Sequence, residues 1–150
     1  MATTFTNLNY HLVFSTKDRR PLITPQIRTD LYPCMAGVIK GERGVLAKIG
    51  GMPNHVHLLV RWRPDVSISK LLQTIKSKSS GWIHREHDSN KVFGWQDAYA
   101  AFTVSKSQCP KMIAYIRNQE KHHAKRDFKQ ELVALLKSHG IQYDERYIWS

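Results

Sequence analysis

Hydrophobic positions along the chain follow two periods, and the order of those periods outlines a fold. From Leu8 to Ser15, Leu8, Tyr10, Leu12 and Phe14 alternate with Asn9, His11, Val13 and Ser15. A period of two predicts a strand with one strongly apolar face. The run Lys17-Asp18-Arg19-Arg20-Pro21 makes a charged loop. Thr24-Pro25 supplies an N-cap and a first-turn proline, and Ile27, Leu31, Met35, Val38 and Ile39 then recur at helical spacing up to Gly41. Pro33 lies inside that pattern and is expected to kink or interrupt the helix, since proline lacks the N–H the helical ladder uses. Residues 45–51 and 54–62 predict two further strands joined as a hairpin through Met52-Pro53-Asn54. Ser67 caps a second helix whose apolar stripe is Ile68, Leu71, Leu72, Ile75, Trp82 and Ile83, with Lys70, Lys76, Lys78 and Arg85 off the stripe. A polar loop over 86–94 leads to a fourth strand over 96–105. A third helix begins within 107–110 and runs to about His123. Asp127 with Gln130 forms a capping box for a fourth helix, which carries Phe128, Leu132, Leu135 and Leu136 and stops at Gly140. The aromatic tail, 141–150, is expected to pack back on the body.

Strand, helix, strand, strand, helix, strand and then two helices is the order of an α+β, ferredoxin-like βαββαβ antiparallel sheet with extra C-terminal helices. The whole chain, 1–150, reads as a single domain with no linker or repeat. Two helices cover one sheet face and leave the other open for a site, a partner or a further helix. Many functions use this fold, so the fold alone decides none. Composition narrows the choice. Hydrophobic residues make up 41% of the 150, enough for a packed core, and the formal charge is +11. Such an excess favours a polyanionic partner. The basic residues are spread along the chain, and no apolar run reaches the roughly 20 residues of a membrane helix. The N-terminus lacks the pattern of a secretory signal. Cys34 and Cys109 form no CxxC motif, so a reducing cytoplasm is the expected compartment. Nucleic acid is the leading partner.

The residues with chemistry lie on the third strand and the third helix. His55, His57, Leu59 and Arg61 share one strand face, and Val56, Leu58, Val60 and Trp62 share the other, which is the better core face. Both imidazoles should then point to the open side of the sheet, where two histidines at i and i+2 can hold one divalent ion. Two strand histidines without a metal are the plainer alternative, and a third ligand is needed. His11 faces the same side if the first and third strands are neighbours; a sheet-surface histidine explains it equally well. On the helix, Tyr115 and Gln119 lie one turn apart on one face. A tyrosine oxygen can attack a phosphodiester and hold it covalently, and the Gln119 carbonyl can ligate a metal. A core-edge tyrosine and a solvated glutamine are the alternative. His122 lies near the same face and can reach the metal or DNA, or simply end the helix in solvent. His123, Lys125 and Arg126 read as a solvated helix end.

Pro53-Asn54-His55-Val56-His57-Leu58-Leu59-Val60 followed by Tyr115-Ile116-Arg117-Asn118-Gln119 resembles the HUH single-tyrosine transposases of small insertion sequences, the TnpA type. Supporting stretches are Tyr10-His-Leu-Val-Phe-Ser-Thr-Lys, Gly94-Trp-Gln-Asp-Ala-Tyr-Ala-Ala-Phe-Thr-Val-Ser and Gly140-Ile-Gln-Tyr-Asp-Glu-Arg-Tyr-Ile-Trp, so the resemblance covers nearly the whole chain. It implies a DNA transposase: a metal-dependent single-stranded endonuclease and strand transferase working through a 5′-phosphotyrosine on hairpin-bearing element ends. It implies Tyr115 as nucleophile, His55, His57 and Gln119 as ligands, and magnesium or manganese as the metal. It further implies a homodimer; in well-known members the tyrosine helix of one subunit completes the other's site, and for this chain both a shared site and one built within a single chain stay open. No glycine occurs between Ser105 and Pro110, ahead of that helix. Lys17, Arg19, Arg20, Lys70, Lys76 and Lys78 are expected to track DNA phosphates. Gln119, four residues past the tyrosine, argues against a replication initiator or relaxase. The rival from another class is a non-catalytic or domesticated nucleic-acid-binding protein of the same fold. Histidines in place of stacking aromatics on the sheet disfavour its RNA-recognition version.

Overall fold

β1 (Leu8–Ser15) and β3 (His55–Trp62) form the centre of the sheet, each with a different layer on either side. The computed structural model describes residues 4–87 and 92–149. After β1 come α1 (Pro25–Gly41), β2 (Val45–Met52), β3, α2 (Ile68–Glu86), β4 (Ala100–Val104), α3 (Cys109–Arg117), α4 (Gln119–His123) and α5 (Phe128–Ser138). The four strands lie in the order β2-β3-β1-β4, all neighbours antiparallel, which is the ferredoxin-like arrangement. Part of the expected 86–94 loop lies outside the described residues. Among the described residues no helix is long and apolar enough to cross a membrane.

The main core lies between one sheet face and α1 with α2. Leu12, Phe14, Val56, Leu58, Val60 and Trp62 meet Ile27, Leu31, Met35 and Ile39 from α1 and Leu71, Leu72, Ile75 and Ile83 from α2. Each such side chain contributes about 1.5–3 kcal/mol by leaving water. Caps set the helix starts as expected: Thr24 accepts from the N–H of Ile27, and Ser67 from that of Lys70. Pro33 does not interrupt α1. It sits on the exposed side, where the carbonyl freed by its missing N–H can turn to water.

The second face is not open. Val13 and Phe102 pack against Phe128, Leu132 and Leu136 of α5, while Leu59 and Val104 pack against Ile116 of α3. The C-terminal helices therefore roof the face that carries the histidines. Asp127 and Gln130 form the expected capping box of α5, and Gly140 takes a left-handed φ of 65° beyond its end. Tyr143 and Trp149 of the tail pack onto the α5 cluster.

Two expected elements differ. The fourth strand begins at Ala100 instead of residue 96. The carbonyls of Gln96, Asp97 and Ala98 all accept from the Lys76 ammonium, at 2.9, 3.2 and 3.0 Å, so they serve a side chain and not a neighbouring strand. The third helix breaks at Asn118, whose φ of −96° and ψ of 26° leave the helical region and separate α3 from α4.

α3 lies so close to the sheet that a Cβ on Gly50 of β2 would sit 2.6 Å from the carbonyl oxygen of Ile116. Gly50→Ala is expected to lower the thermal midpoint by several degrees through forced separation of α3 from the sheet. Val45→Ala, at an exposed position of the same strand, serves as control. An unchanged midpoint for Gly50→Ala in a circular-dichroism melt would show that α3 does not depend on this approach.

Candidate active site

β3 brings His55 and His57 to one face two residues apart, and both are fully buried beneath the helical roof. Around them are His11 from β1, Gln119 from α4 and Glu131 from α5, none more than 1% exposed. Oε1 of Glu131 lies 3.0 Å from Nε2 of His57 and 3.4 Å from Nε2 of His55. Oε1 of Gln119 lies 3.1 Å from the same His55 nitrogen. His55, His57 and Glu131 each offer a ligand atom within 4.8 Å of the others.

Neighbours turn these rings. Oδ1 of Asn54, 2.8 Å from Nδ1 of His55, can only accept, so it holds a proton on that nitrogen. Nε2 of His55 faces two oxygens, Oε1 of Gln119 and Oε1 of Glu131. A proton on this nitrogen, or a cation among the three atoms, satisfies that arrangement. Nδ1 of His57 is likewise 2.8 Å from Nε2 of His11, and those two rings are stacked with centroids 5.0 Å apart. Burial, reinforced by His57, lowers the His11 pKa to about 3, so this ring is neutral. Burial also lowers the pKa of His57. For Glu131 burial acts upward, but contacts with His55 and His57 outweigh it and hold the carboxyl far below the usual range. The cluster thus presents an ionised carboxylate among imidazoles.

Tyr115 extends from α3 into this cluster. Its hydroxyl donates to Oε2 of Glu131, and its ring lies 5.8 Å from that of His57, edge-on. Burial, then the bond to Glu131, pushes the phenol pKa well above its ordinary value. Gln119 donates from Nε2 to the same Glu131 oxygen at 3.0 Å.

The fold therefore assembles Tyr115, His55, His57 and Gln119 within one chain. Glu131 is the member that sequence reasoning missed. Its signal was present, because Phe128, Glu131, Leu132 and Leu136 share the buried stripe of α5 and a carboxylate on such a stripe requires a partner. An acid in the first turn of a helix reads instead as ordinary dipole compensation. His123 is a second correction: Nε2 lies 3.2 Å from Oε1 of Glu131, whereas a solvated helix end was expected. The break at Asn118 reorients α4 and aims Gln119 and His123 inward. The His122 ring lies beside that of Tyr115, tilted by 30° with centroids 4.5 Å apart.

The basic residues do not act alike. Lys17, Arg20 and Lys70 are exposed. Arg19 lies over the Trp149 ring at 5.2 Å and donates to its carbonyl. Exposed Lys78 is 4.0 Å from the Glu42 carboxylate. Lys76 clamps the 96–98 carbonyls, and burial lowers its pKa to about 8 despite Asp97, so its geometry is that of a structural clamp.

The curated relatives include the ISDra2 transposase TnpA of Deinococcus radiodurans, 24% identical over 117 residues, with 75% of this chain and 84% of that protein covered. The transposase for insertion sequence element IS200 of Salmonella typhimurium is 26% identical over 125 residues, covering 79% of this chain and 81% of the relative. Among solved structures, a putative transposase from Deinococcus radiodurans superposes with a TM-score of 0.61 at 23% identity, over 79% of this chain and 95% of that one. A REP-associated tyrosine transposase bound to a REP hairpin superposes with a TM-score of 0.62 at 14% identity, over 82% and 72%. At these identities the superpositions establish the shared fold. The family model described as "Transposase IS200 like" matches residues 4–119, well over half of the chain, and the chain belongs to that transposase family.

Proposed function

We propose that the chain cleaves and rejoins single-stranded DNA, with Tyr115 as nucleophile. The observation that carries this is the convergence of Tyr115, His55, His57 and Gln119 on one buried carboxylate, Glu131. In cleavage, the Tyr115 oxygen forms a bond to the scissile phosphorus and the bond from phosphorus to the 3′-oxygen breaks. The phenol loses its proton, and the departing 3′-oxygen leaves as a hydroxyl, so protons balance. Rejoining reverses this with a second 3′-hydroxyl. The phosphotyrosine keeps the energy of the broken bond, and no nucleotide triphosphate is consumed.

His55, His57, Gln119 and Glu131 would hold a divalent ion. Their imidazole nitrogens and hard oxygens suit magnesium or manganese, and ligand atoms of His55, His57 and Glu131 lie within 4.8 Å of one another. Bound there, the ion would supply Lewis-acid polarisation of the scissile phosphate. His11 and Asn54 orient the ligating rings, and the helical roof excludes bulk water. Exposed Lys17, Arg20 and Lys70, with the overall +11 charge, would draw the DNA backbone. A single-stranded hairpin is the substrate favoured by the resemblance, and the REP hairpin held by the structural neighbour supports it. One nucleophile per chain suits a homodimer for a two-cut reaction.

Two outcomes are expected. Manganese at about a hundred times its Kd should stabilise the chelator-treated protein by about 2.7 kcal/mol in a thermal melt. His57→Ala should remove that gain; an equal gain in the variant would eliminate the histidine pair as the ion's site. Tyr115→Phe should still bind hairpin DNA but form no covalent adduct on denaturing gels. An adduct that persists in this variant, or that maps by peptide mass to another tyrosine, would refute the nucleophile.

A further inference from the structure

The two oxygens of Glu131 face different partners. Oε1 is turned to the histidines, 3.0 Å from His57, 3.4 Å from His55 and 3.2 Å from His123. Oε2 accepts from the Tyr115 hydroxyl and, at 3.0 Å, from the Gln119 amide. This one carboxylate therefore joins the residues proposed to hold the ion to the proposed nucleophile. It comes from α5, which lies beyond residues 4–119, the segment matching the family.

Glu131 is itself tightly held. It is fully buried in the first turn of α5, which the Asp127–Gln130 capping box fixes. Phe128, one turn earlier, stacks on His55 with centroids 4.3 Å apart and planes 21° apart. Leu132 and Leu136 anchor the same helix against Val13 and Phe102. A carboxylate locked in this way defines the position of whatever bonds to it. Tyr115 is only partly buried and its ring turns about two side-chain bonds, so the bond to Oε2 selects among its directions.

We infer that Glu131 is the positioning residue for Tyr115, holding the hydroxyl beside the histidine pair of its own chain. This rests on Tyr115 being the nucleophile, but the contact lies between side chains and is measurable without metal or DNA. α5 then belongs to the active site, and the site is complete within one chain.

The test uses the full chain labelled with 13Cζ-tyrosine and freed of metal, with the Tyr115 signal assigned by its loss in Tyr115→Phe. Glu131→Ala and the isosteric Glu131→Gln should both move that signal and leave the other tyrosines in place. Glu145→Gln, at an exposed site, should move none. If Glu131→Ala does not fold, Glu131→Gln carries the comparison. With manganese and hairpin DNA each raised to saturation for the variant itself, the single-turnover rate of adduct formation should fall by about tenfold to a hundredfold in Glu131→Gln. An unmoved Tyr115 signal overturns the inference. A moved signal with an undiminished adduct rate also overturns it, because the contact would then be structural only. A persistent adduct in Tyr115→Phe would instead remove the nucleophile assignment while leaving the Glu131 contact to be seen in the spectrum.

Discussion

Removing a carboxylate from water costs several kcal/mol unless its surroundings restore what hydration supplied. Glu131 is fully buried, and three histidine nitrogens surround its Oε1, at 3.0, 3.2 and 3.4 Å. A tyrosine hydroxyl and a glutamine amide satisfy its second oxygen. The burial of this group is tolerable only with those partners in place, so it draws β3, α3, α4 and α5 to one point. The same partners suit the proposed chemistry, phosphoryl transfer at a metal, for which Tyr115 would be the hydroxyl nucleophile.

The sheet makes this possible by dividing its faces. The main core with α1 and α2 supplies the stability, and the opposite face is left for polar side chains under a separate roof. Gly50 permits the close approach of α3, the 3-10 turn Lys106–Gln108 joins β4 directly to that helix, and Lys76 ties down the segment ahead of β4. Each device fixes the direction from which Tyr115 arrives. The absence of glycine between Ser105 and Pro110 accords with a helix held against its own sheet.

Periodicity made most of the architecture readable. β1, the β2–β3 hairpin and the caps of α1, α2 and α5 depend on local patterning, and they lie within a residue or so of where the sequence puts them. Two features depend on distant groups and were not legible. The short β4 reflects a lysine on α2, and the break at Asn118 reflects how α4 fits over the histidines, whereas a further helix on the second face was among the alternatives the element order left. The histidine pair, Tyr115 and Gln119 were singled out through an ordered set of motifs, and the fold brings these side chains together. Glu131 and His123 were not, because a charged residue near a helix end looks like ordinary surface until its neighbours are known.

Assembly of the site from a single chain is the central claim, and complementation tests it most directly. Tyr115→Phe and the His55→Ala, His57→Ala double variant would be co-expressed with different tags, doubly tagged pairs isolated, and the covalent DNA adduct measured. Sites built within one chain leave every site in such a pair lacking either its tyrosine or its histidines, so no adduct should form above the level of each variant alone. An adduct restored in the mixed pair would mean that the tyrosine of one chain serves the histidines of another, and would contradict the account.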